Sequence, residues 1–263
     1  MNEERIFDPR SAADDLFVAR RNLEPCEPVA GKYEIGMLEQ AYTVQEELIK
    51  RFNYVGQKTV GYKLGLTDPQ AQAEMALEMP LFGKLVQGWS YEDGASIPIE
   101  KLISPRVEGE VAFIFSAAVD DPEVDEETLM NSIGKVVPAL EICDSAFAGW
   151  PRSLFDAVAD NLSSGFYVLG KEQRDVRDLD FSGMTMQLYR NDEKAVEGNA
   201  GKCMGSPLKA CLWLVRELAE RGTPVQAGEV ILSGSLGPMQ KVEKGDRIRL
   251  ELGGLGKLEC SFE

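Results

Sequence analysis

The sequence contains no histidine, and positive charge is scarce along its 263 residues. Lys and Arg number 28 against 44 Asp and Glu, so the formal net charge is −16. Nucleic acid and anionic membrane surfaces would repel such a chain, so neither is an expected partner. Without histidine, a metal site would have to be built from oxygen ligands, which favours hard cations such as Mg²⁺, Mn²⁺ or Ca²⁺.

Long apolar runs and paired cysteine motifs are also absent. No stretch approaches the roughly 18 apolar residues that a membrane-spanning helix needs. The segment Met1–Asp8 lacks the apolar centre of a secretory signal peptide. The five cysteines are scattered, with no Cys-x-x-Cys pair, as is usual for reduced thiols. We therefore expect a cytoplasmic protein.

The amino-terminal part of the chain has a helical pattern. Ser11 is a suitable N-cap for a helix that ends near Asn22. After a link that contains proline and glycine, apolar residues recur at spacings of three and four from Met37 to Phe52, which predicts an amphipathic helix. We predict that residues 1–56 form a helical lobe that packs against the rest of the chain or against a neighbouring subunit.

Beyond Gly56 the pattern changes to short β-type runs separated by glycine and proline. One strong helix interrupts them, with Ser206 as its cap, Pro207 in its first turn and Gly222 at its end. We predict a mixed or antiparallel sheet over residues 57–263 and, with the helical lobe, an α+β fold. The predicted strands are Thr59–Leu64, Val107–Phe115, Val136–Ile142, Gly165–Leu169, Met184–Tyr189, Val230–Ser233, Arg247–Leu252 and Lys257–Phe262.

Three glutamates lie in strand-like apolar runs. Glu108 and Glu110 are separated by one residue, so in a strand both side chains project from the same face. Glu141 lies in the similar run Pro138–Ile142. Like charges this close repel each other, and glutamate is rarely buried unless it is paired or bound to metal. Exposed strand faces also carry glutamate by chance, so the residues alone leave a metal site and a solvated face equally open.

Lys63 and two loops of small polar residues are the other candidates. Lys63 lies between glycines in an apolar run. Its side chain either extends to the surface or is partly desolvated, in which case it could transfer a proton or stabilise an oxyanion. The loops Asp160–Gly165 and Ile231–Pro238 are either plain turns or places where hydroxyl and backbone N–H groups hold a carboxylate.

Taken together, the motifs resemble the fumarylacetoacetate hydrolase superfamily, specifically its branch of 2-oxopent-4-enoate hydratases and 4-oxalocrotonate decarboxylases. The resemblance extends from about Gly61 to the end of the chain. It implies a mixed β-roll or barrel of the family's C-terminal type, here preceded by the helical lobe. The motifs that carry it are Gly61–Thr67, Pro105–Glu110, Pro138–Glu141, Ala159–Asn161, Gly205–Leu208, Leu232–Met239 and Gly245–Asp246.

The resemblance also implies a metal-dependent lyase that acts on 2-oxo acids in aromatic catabolism. The cation would counter the negative field of the chain and bind the acid through two oxygens. Relatives are commonly homo-oligomers, and a partner enzyme of the same pathway is a further expected contact. The implied site residues are Glu108, Glu110 and Glu141 for Mg²⁺ or Mn²⁺, Lys63 and Asp160 for catalysis, and Ser163 and Ser233 for substrate binding.

One departure from the family pattern bears on the reaction. Hydratases of this branch usually carry aspartate in a Pro-Asp-Phe-Gly type of segment, where this chain has Leu81, and decarboxylases often have an aliphatic residue there. The last third of the chain is more similar to hydratases. We predict a hydratase of 2-hydroxypenta-2,4-dienoate or a close dienoate, with a 4-oxalocrotonate-type decarboxylase as the alternative. A catalytically silent partner subunit and a carbon–carbon hydrolase, which would lack a good base for water, are the remaining hypotheses.

Overall fold

The computed structural model describes residues 7–263, so most of the segment considered for a signal peptide lies outside the described residues. No helix in this described range has the length and apolar character needed to cross a membrane. Its α-helices are α1 (Pro9–Asn22), α2 (Val29–Lys32), α3 (Leu38–Tyr54), α4 (Pro69–Glu74), α5 (Glu126–Ser132), α6 (Leu154–Ala159) and α7 (Pro207–Glu220).

The strands form two mixed sheets. The larger sheet has the order β2-β1-β10-β5-β6-β7-β3, with β11 beside one end of β5, and the smaller has the order β4-β13-β12-β8-β9. Neighbouring strands are antiparallel except for β1 with β10, β3 with β7 and β4 with β13. The strands are β1 (Thr59–Gly65), β2 (Leu81–Val86), β3 (Ser90–Glu92), β4 (Ser96–Ile97), β5 (Arg106–Phe115), β6 (Ile133–Cys143), β7 (Phe166–Leu169), β8 (Thr185–Arg190), β9 (Glu193–Asn199), β10 (Val230–Leu232), β11 (Gln240–Lys241), β12 (Arg247–Leu252) and β13 (Gly256–Phe262).

Strand β5 has one apolar face and one acidic face. Val107 and Val111 on the apolar face are fully buried. Between them, a Cβ atom at Gly109 would lie 2.5 Å from Met186 Sδ and 2.6 Å from Leu250 Cδ1, both in the smaller sheet. Glycine at this position therefore lets the two sheets pack at close range. The predicted alternation of the strand is confirmed, and its glutamates face away from this core.

The helical lobe packs against the β domain. The Phe52 ring of α3 meets the Trp89 ring edge to face, with centroids 5.2 Å apart. Gln45 Nε2 donates hydrogen bonds to the carbonyl oxygens of Phe82, at 3.2 Å, and Val158, at 3.0 Å. These contacts agree with the first of the two packing arrangements predicted for the lobe. They also join α3 to β2 and α6, both of which lie close to the candidate site.

One of the two predicted N-caps is wrong, and the other lies at the predicted position without a capping hydrogen bond. Helix α1 begins at Pro9, because the Asp8 carboxylate accepts hydrogen bonds from the N–H groups of Arg10 and Ser11, each at 3.1 Å. Ser11 as the cap was therefore wrong, and the Asp-Pro pair is the stronger start signal. Ser206 lies at the N-cap of α7, but its side chain makes no capping hydrogen bond.

Every predicted strand is present, with bounds that differ by a few residues, but several strands were missed. Strand β2 is fully buried along its length, but Gly83 and Lys84 interrupt its apolar residues, so its sequence shows no regular alternation. Strand β9 lies at the edge of its sheet and is mostly exposed and polar, so it lacks an apolar alternation.

Candidate metal-binding and active site

The register between β5 and β6 brings the three glutamates together. Glu108 lies opposite Glu141, and Glu110 lies opposite Ala139, two residues further along. Residues opposite each other in an antiparallel pair share a face, so all three carboxylates project from the same side of the sheet. Glu110 and Glu141 are fully buried, whereas Glu108 borders a cavity. The hypothesis of a metal site built from these three glutamates depended on this convergence.

Two of the four buried carboxylate oxygens of Glu110 and Glu141 have no donor nearby. Glu110 Oε2 accepts a hydrogen bond from the Gly234 N–H at 2.8 Å, and Glu141 Oε2 lies 3.1 Å from the Lys63 ammonium. Glu110 Oε1 and Glu141 Oε1 make no hydrogen bond within residues 7–263. Buried polar atoms are almost always paired, so these oxygens have the character of ligand atoms. Hard carboxylate oxygens suit Mg²⁺ or Mn²⁺, and the residues present therefore fit such a cation.

Lys63 contributes the positive charge of the cluster. Its ammonium Nζ lies 3.1 Å from Glu141 Oε2 and donates a hydrogen bond to the Leu162 carbonyl oxygen at 3.2 Å. Strands β1 and β6 are separated by β10 and β5, which in a flat sheet would place them roughly 14 Å apart. The Lys63 and Glu141 side chains therefore meet across the two intervening strands. With all three carboxylates ionised beside one ammonium, the cluster would have two negative charges in excess, which one divalent cation would balance.

Burial and mutual repulsion shift the pKa values of the cluster. Burial, followed by the charge of Glu141, raises the pKa of Glu108 to about 7. Burial raises the pKa of Glu110 well above its ordinary value, and Glu141 and Glu108 add to this shift. Burial alone would lower the pKa of Lys63, but the adjacent carboxylates outweigh it and leave that pKa raised. Lys63 is therefore an ammonium at neutral pH, and the glutamates retain protons that a cation would displace.

A cavity of 560 Å³ opens beside this cluster, with Lys63 and Glu108 in its wall. A second cavity, of 520 Å³, also borders Glu108 and contains Ser235 in its lining. A small molecule in either cavity would therefore lie beside Glu108 at the edge of the acidic cluster. Most of the wall of the larger cavity is apolar, and its apolar side chains include Leu66, Met75, Trp150, Leu154, Leu162 and Met239.

Asp160 and Ser163, the two candidate residues that follow α6, lie in different surroundings. Ser163 lines the larger cavity. Asp160 does not, since its Oδ1 accepts a hydrogen bond from Arg20 Nε at 2.6 Å and its Oδ2 accepts one from the Ala146 N–H at 2.9 Å. The Asp160 carboxyl is fully buried, and burial raises its pKa against the opposing charge of Arg20. These contacts are those of a residue that holds a loop in place.

Ser233 is placed behind the cluster rather than in a cavity wall. Its hydroxyl accepts a hydrogen bond from the Val111 N–H at 3.1 Å and donates one to the Gly234 carbonyl oxygen at 2.9 Å. The next residue, Gly234, donates its N–H to Glu110. The hydroxyl group of this loop that lines a cavity is that of Ser235, which the sequence reasoning missed. Ser233 is linked to Glu110 through the Gly234 backbone, and substrate binding by Ser233 stays a prediction.

Cys143 is a second residue that the sequence reasoning missed. It follows Glu141 by two residues in β6, and its Sγ lies 3.6 Å from Glu108 Oε2. Ligand atoms of Glu108, Glu141 and Cys143 all lie within 4.8 Å of one another. Burial raises the pKa of the Cys143 thiol well above its ordinary value. The alternation of side chains along β6 was the available signal, because it places residues 141 and 143 on one face.

Known proteins share the sequence pattern and the fold of this chain. The fumarylacetoacetate (FAA) hydrolase C-terminal family model matches residues 65–263. The chain is 36% identical over 252 residues to a 2-keto-4-pentenoate hydratase of Paraburkholderia xenovorans, covering 96% of this chain and 94% of the relative. It is 34% identical to a 2-hydroxyhexa-2,4-dienoate hydratase of Comamonas testosteroni, covering 94% of each chain. A 4-oxalocrotonate decarboxylase of Pseudomonas putida G7, solved with magnesium and adipate, superposes with a TM-score of 0.91 at 29% identity over 97% of each chain.

Proposed function

We propose that this chain, which belongs to the fumarylacetoacetate hydrolase C-terminal family, is a divalent-metal-dependent hydratase of 2-hydroxypenta-2,4-dienoate or a close dienoate. One observation carries the proposal, namely the pairing of Glu108 with Glu141 beside Glu110, with one buried oxygen of Glu110 and one of Glu141 that lack a donor within the described residues. Relatives named as hydratases, which are similar to this chain over nearly its full length, support the reaction type.

In this proposal, Glu108, Glu110 and Glu141 would hold Mg²⁺ or Mn²⁺. When bound, the cation would stabilise negative charge on the oxygens of the 2-oxo acid. Lys63, an ammonium at the cavity wall, supplies the proton that the carbon chain gains when the dienol becomes the ketone, and the proton released from the dienol hydroxyl restores the ammonium. Water then adds to the alkene conjugated with that ketone. Ser163 offers its hydroxyl to the substrate carboxylate from the same wall.

The two remaining site candidates take indirect roles in this proposal. Ser233 supports Glu110 through Gly234, and Asp160 holds the loop that contains Ser163. A proton transfer by Asp160 itself stays a prediction, and it would require the carboxyl to leave its hydrogen bonds with Arg20 and Ala146.

A substrate panel tests the proposal. We expect purified protein with Mg²⁺ to consume 2-hydroxypenta-2,4-dienoate, followed by loss of dienol absorbance, and to form a product heavier by one water in mass spectrometry. Excess EDTA should abolish turnover, and added Mg²⁺ should restore it. Release of CO₂ from a 4-oxalocrotonate-type diacid, without hydration of the monoacid, would refute the hydratase assignment. Turnover that is unchanged in EDTA would refute the metal site.

Leu81 favours decarboxylation of such a diacid as the second candidate function. It lies opposite Gly65 in the β1–β2 pair, so it shares a sheet face with Lys63 two residues away. Its aliphatic side chain is 1% exposed and carries no proton. The likeness to the decarboxylase structure supports the same alternative. Both reactions pass through negative charge at the C2 oxygen, so both use the same glutamates.

Substitution at Leu81 distinguishes the two candidates. If a missing carboxylate limits hydration, Leu81→Asp should raise the hydration rate, whereas Leu81→Asn, which has similar size without the charge, should not. Equal or lower hydration in both variants, with folding intact by circular dichroism, would show that this position does not govern water addition.

Three further expectations are proposed with this function. A catalytically silent partner subunit would show no turnover with any substrate of the panel. Homo-oligomerisation, or association with another enzyme of the pathway, would appear in light scattering or co-purification. A cytoplasmic location would appear in cell fractionation.

A further inference from the structure

We propose that Arg20, on α1 of the helical lobe, is a positioning residue for catalysis by Lys63. It acts by holding the segment Asn161–Ser163, which forms part of the wall of the larger cavity. This inference rests on the proposed function, because it assigns Arg20 a role in the proton transfer proposed for Lys63.

The Arg20 guanidinium joins both ends of this segment. Nε donates to Asp160 Oδ1 at 2.6 Å, and Nη2 donates to the Asp160 carbonyl oxygen at 3.2 Å. Nη1 donates to the carbonyl oxygen of Ser164 at 3.0 Å, on the far side of the segment. Nη2 also donates to the Asp144 carbonyl oxygen at 2.9 Å, just beyond the end of β6. The Arg20 side chain is 7% exposed, so these bonds are shielded from water.

The segment held in this way has a strained backbone. Asn161, Leu162 and Ser163 have φ values of +54°, +52° and +52°, and three successive non-glycine residues in the left-handed region are rare. Such a conformation persists only where surrounding contacts enforce it. Asn161 supplies one contact, through hydrogen bonds between its side chain and the Lys84 backbone at 2.7 and 2.8 Å. Close approach supplies another, since a Cβ atom at Gly83 would lie 2.5 Å from the Asn161 carbonyl oxygen.

The strained conformation turns the Leu162 carbonyl toward Lys63. That carbonyl oxygen accepts a hydrogen bond from Lys63 Nζ at 3.2 Å, while the same Nζ lies 3.1 Å from Glu141. Leu162 and Ser163 also line the larger cavity. If the segment relaxed, Lys63 would lose the oxygen that orients its ammonium, whereas the three glutamates on β5 and β6 would keep their register. Loss of Arg20 should therefore affect proton transfer more than metal binding.

Two variants test this role without leaving a buried charge unpaired. Arg20→Lys keeps a cation beside Asp160 but lacks the planar group that bonds both ends of the segment. The double variant Arg20→Met with Asp160→Asn removes both charges together, which is tolerated better than removal of one partner. Arg21→Gln is the matched control, since Arg21 is the next residue of α1 and is exposed.

We expect kcat to fall about 10²-fold in both Arg20 variants, because a displacement near 1 Å can have an effect of this size. The Mg²⁺ dissociation constant should stay within about threefold of wild type, since the three glutamates keep their places on β5 and β6, whereas KM should rise because Ser163 lies in the released segment. Amide hydrogen exchange in a peptide covering residues 160–165 should become at least about tenfold faster, with the β5–β6 peptides unchanged. The Arg21→Gln control should match wild type in all of these measurements.

The hydrogen-exchange result does not depend on the substrate, so it separates this inference from the proposed function. If wild type turns over none of the panel substrates, the proposed function fails. Faster amide exchange at residues 160–165 in the Arg20 variants would still show that Arg20 holds this segment. Folded Arg20 variants with wild-type kcat would overturn the positioning role, and so would exchange at 160–165 that matches wild type. If one variant fails to fold, the other decides between these outcomes.

Discussion

Two groups of buried carboxylates in this molecule differ in how their oxygens are satisfied. Asp160 and Glu141 are both fully buried. Each oxygen of Asp160 accepts a hydrogen bond, one from Arg20 and one from a backbone N–H. In Glu141, Oε2 lies 3.1 Å from the Lys63 ammonium, and Oε1 has no donor within the part of the chain that the structure describes. Burial of an acid therefore does not by itself indicate a reactive site, and the absence of donors is the more informative sign.

Replacement of a site glutamate should give the largest effect. We expect Glu110→Gln to lower kcat/KM at least about 10²-fold, because the loss of a carboxylate ligand removes several kcal/mol of charge stabilisation. Titration calorimetry should show no heat from Mg²⁺ binding. In EDTA its Tm should equal or exceed that of wild type, because the substitution removes repulsion with Glu108 and Glu141. Glu100→Gln, at an exposed position, is the control and should change none of these quantities.

Asp160→Asn should lower stability and retain Mg²⁺ binding, the reverse of the result expected for Glu110→Gln. The substitution leaves the buried Arg20 without its charge partner, which should lower the free energy of unfolding by about 3–5 kcal/mol. In a chain of this size that corresponds to about 6–20 °C in Tm. The heat of Mg²⁺ binding should be retained, because the glutamates are untouched. A variant with unchanged Tm and abolished kcat would contradict this and would support proton transfer by Asp160.

Mg²⁺ should stabilise the protein more at pH 8 than at pH 6. Burial raises the pKa of Glu108 to about 7, above the value of about 4.3 expected in the unfolded chain. Its contribution to stability without metal is therefore complete below the unfolded pKa and is lost as pH rises through the folded pKa. Mg²⁺ binds the ionised carboxylates and offsets this loss, by about 2.7 kcal/mol at a concentration 100 times the dissociation constant. Thermal scans with Mg²⁺ and with EDTA at both pH values measure the difference. An equal gain at the two values would argue against proton displacement, and Glu110→Gln should show no gain at either.

The sequence was informative where side-chain alternation alone determines geometry. The shared face of Glu108 and Glu110 followed from period two in β5, and the order of motifs indicated the family. The hydrogen-bond partners of Asp160 and Ser233 did not follow, because they lie far away along the chain. Asp160 is separated by 140 residues from Arg20, its partner, and no local pattern indicates that pairing. Likewise the strained conformation of Asn161–Ser163 is imposed by packing and not by the propensities of its residues.

Substitution of Cys143, which lies beside the site glutamates, should have the smallest effect of these variants. Its thiol lies beside the unsatisfied carboxylates, so it offers a soft ligand next to hard ones. We expect Cys143→Ser to leave Mg²⁺ affinity within about twofold, because Mg²⁺ prefers oxygen ligands, and to weaken Cd²⁺ binding about tenfold. Competition calorimetry with the two cations measures both, and thiolate-to-cadmium absorption in the ultraviolet reports the sulfur contact directly. Cys260→Ser, a buried cysteine of β13, is the matched control and should bind both cations as wild type does. Equal Cd²⁺ affinity in the Cys143 variant, with no loss of that absorption, would restrict the ligand set to oxygen atoms.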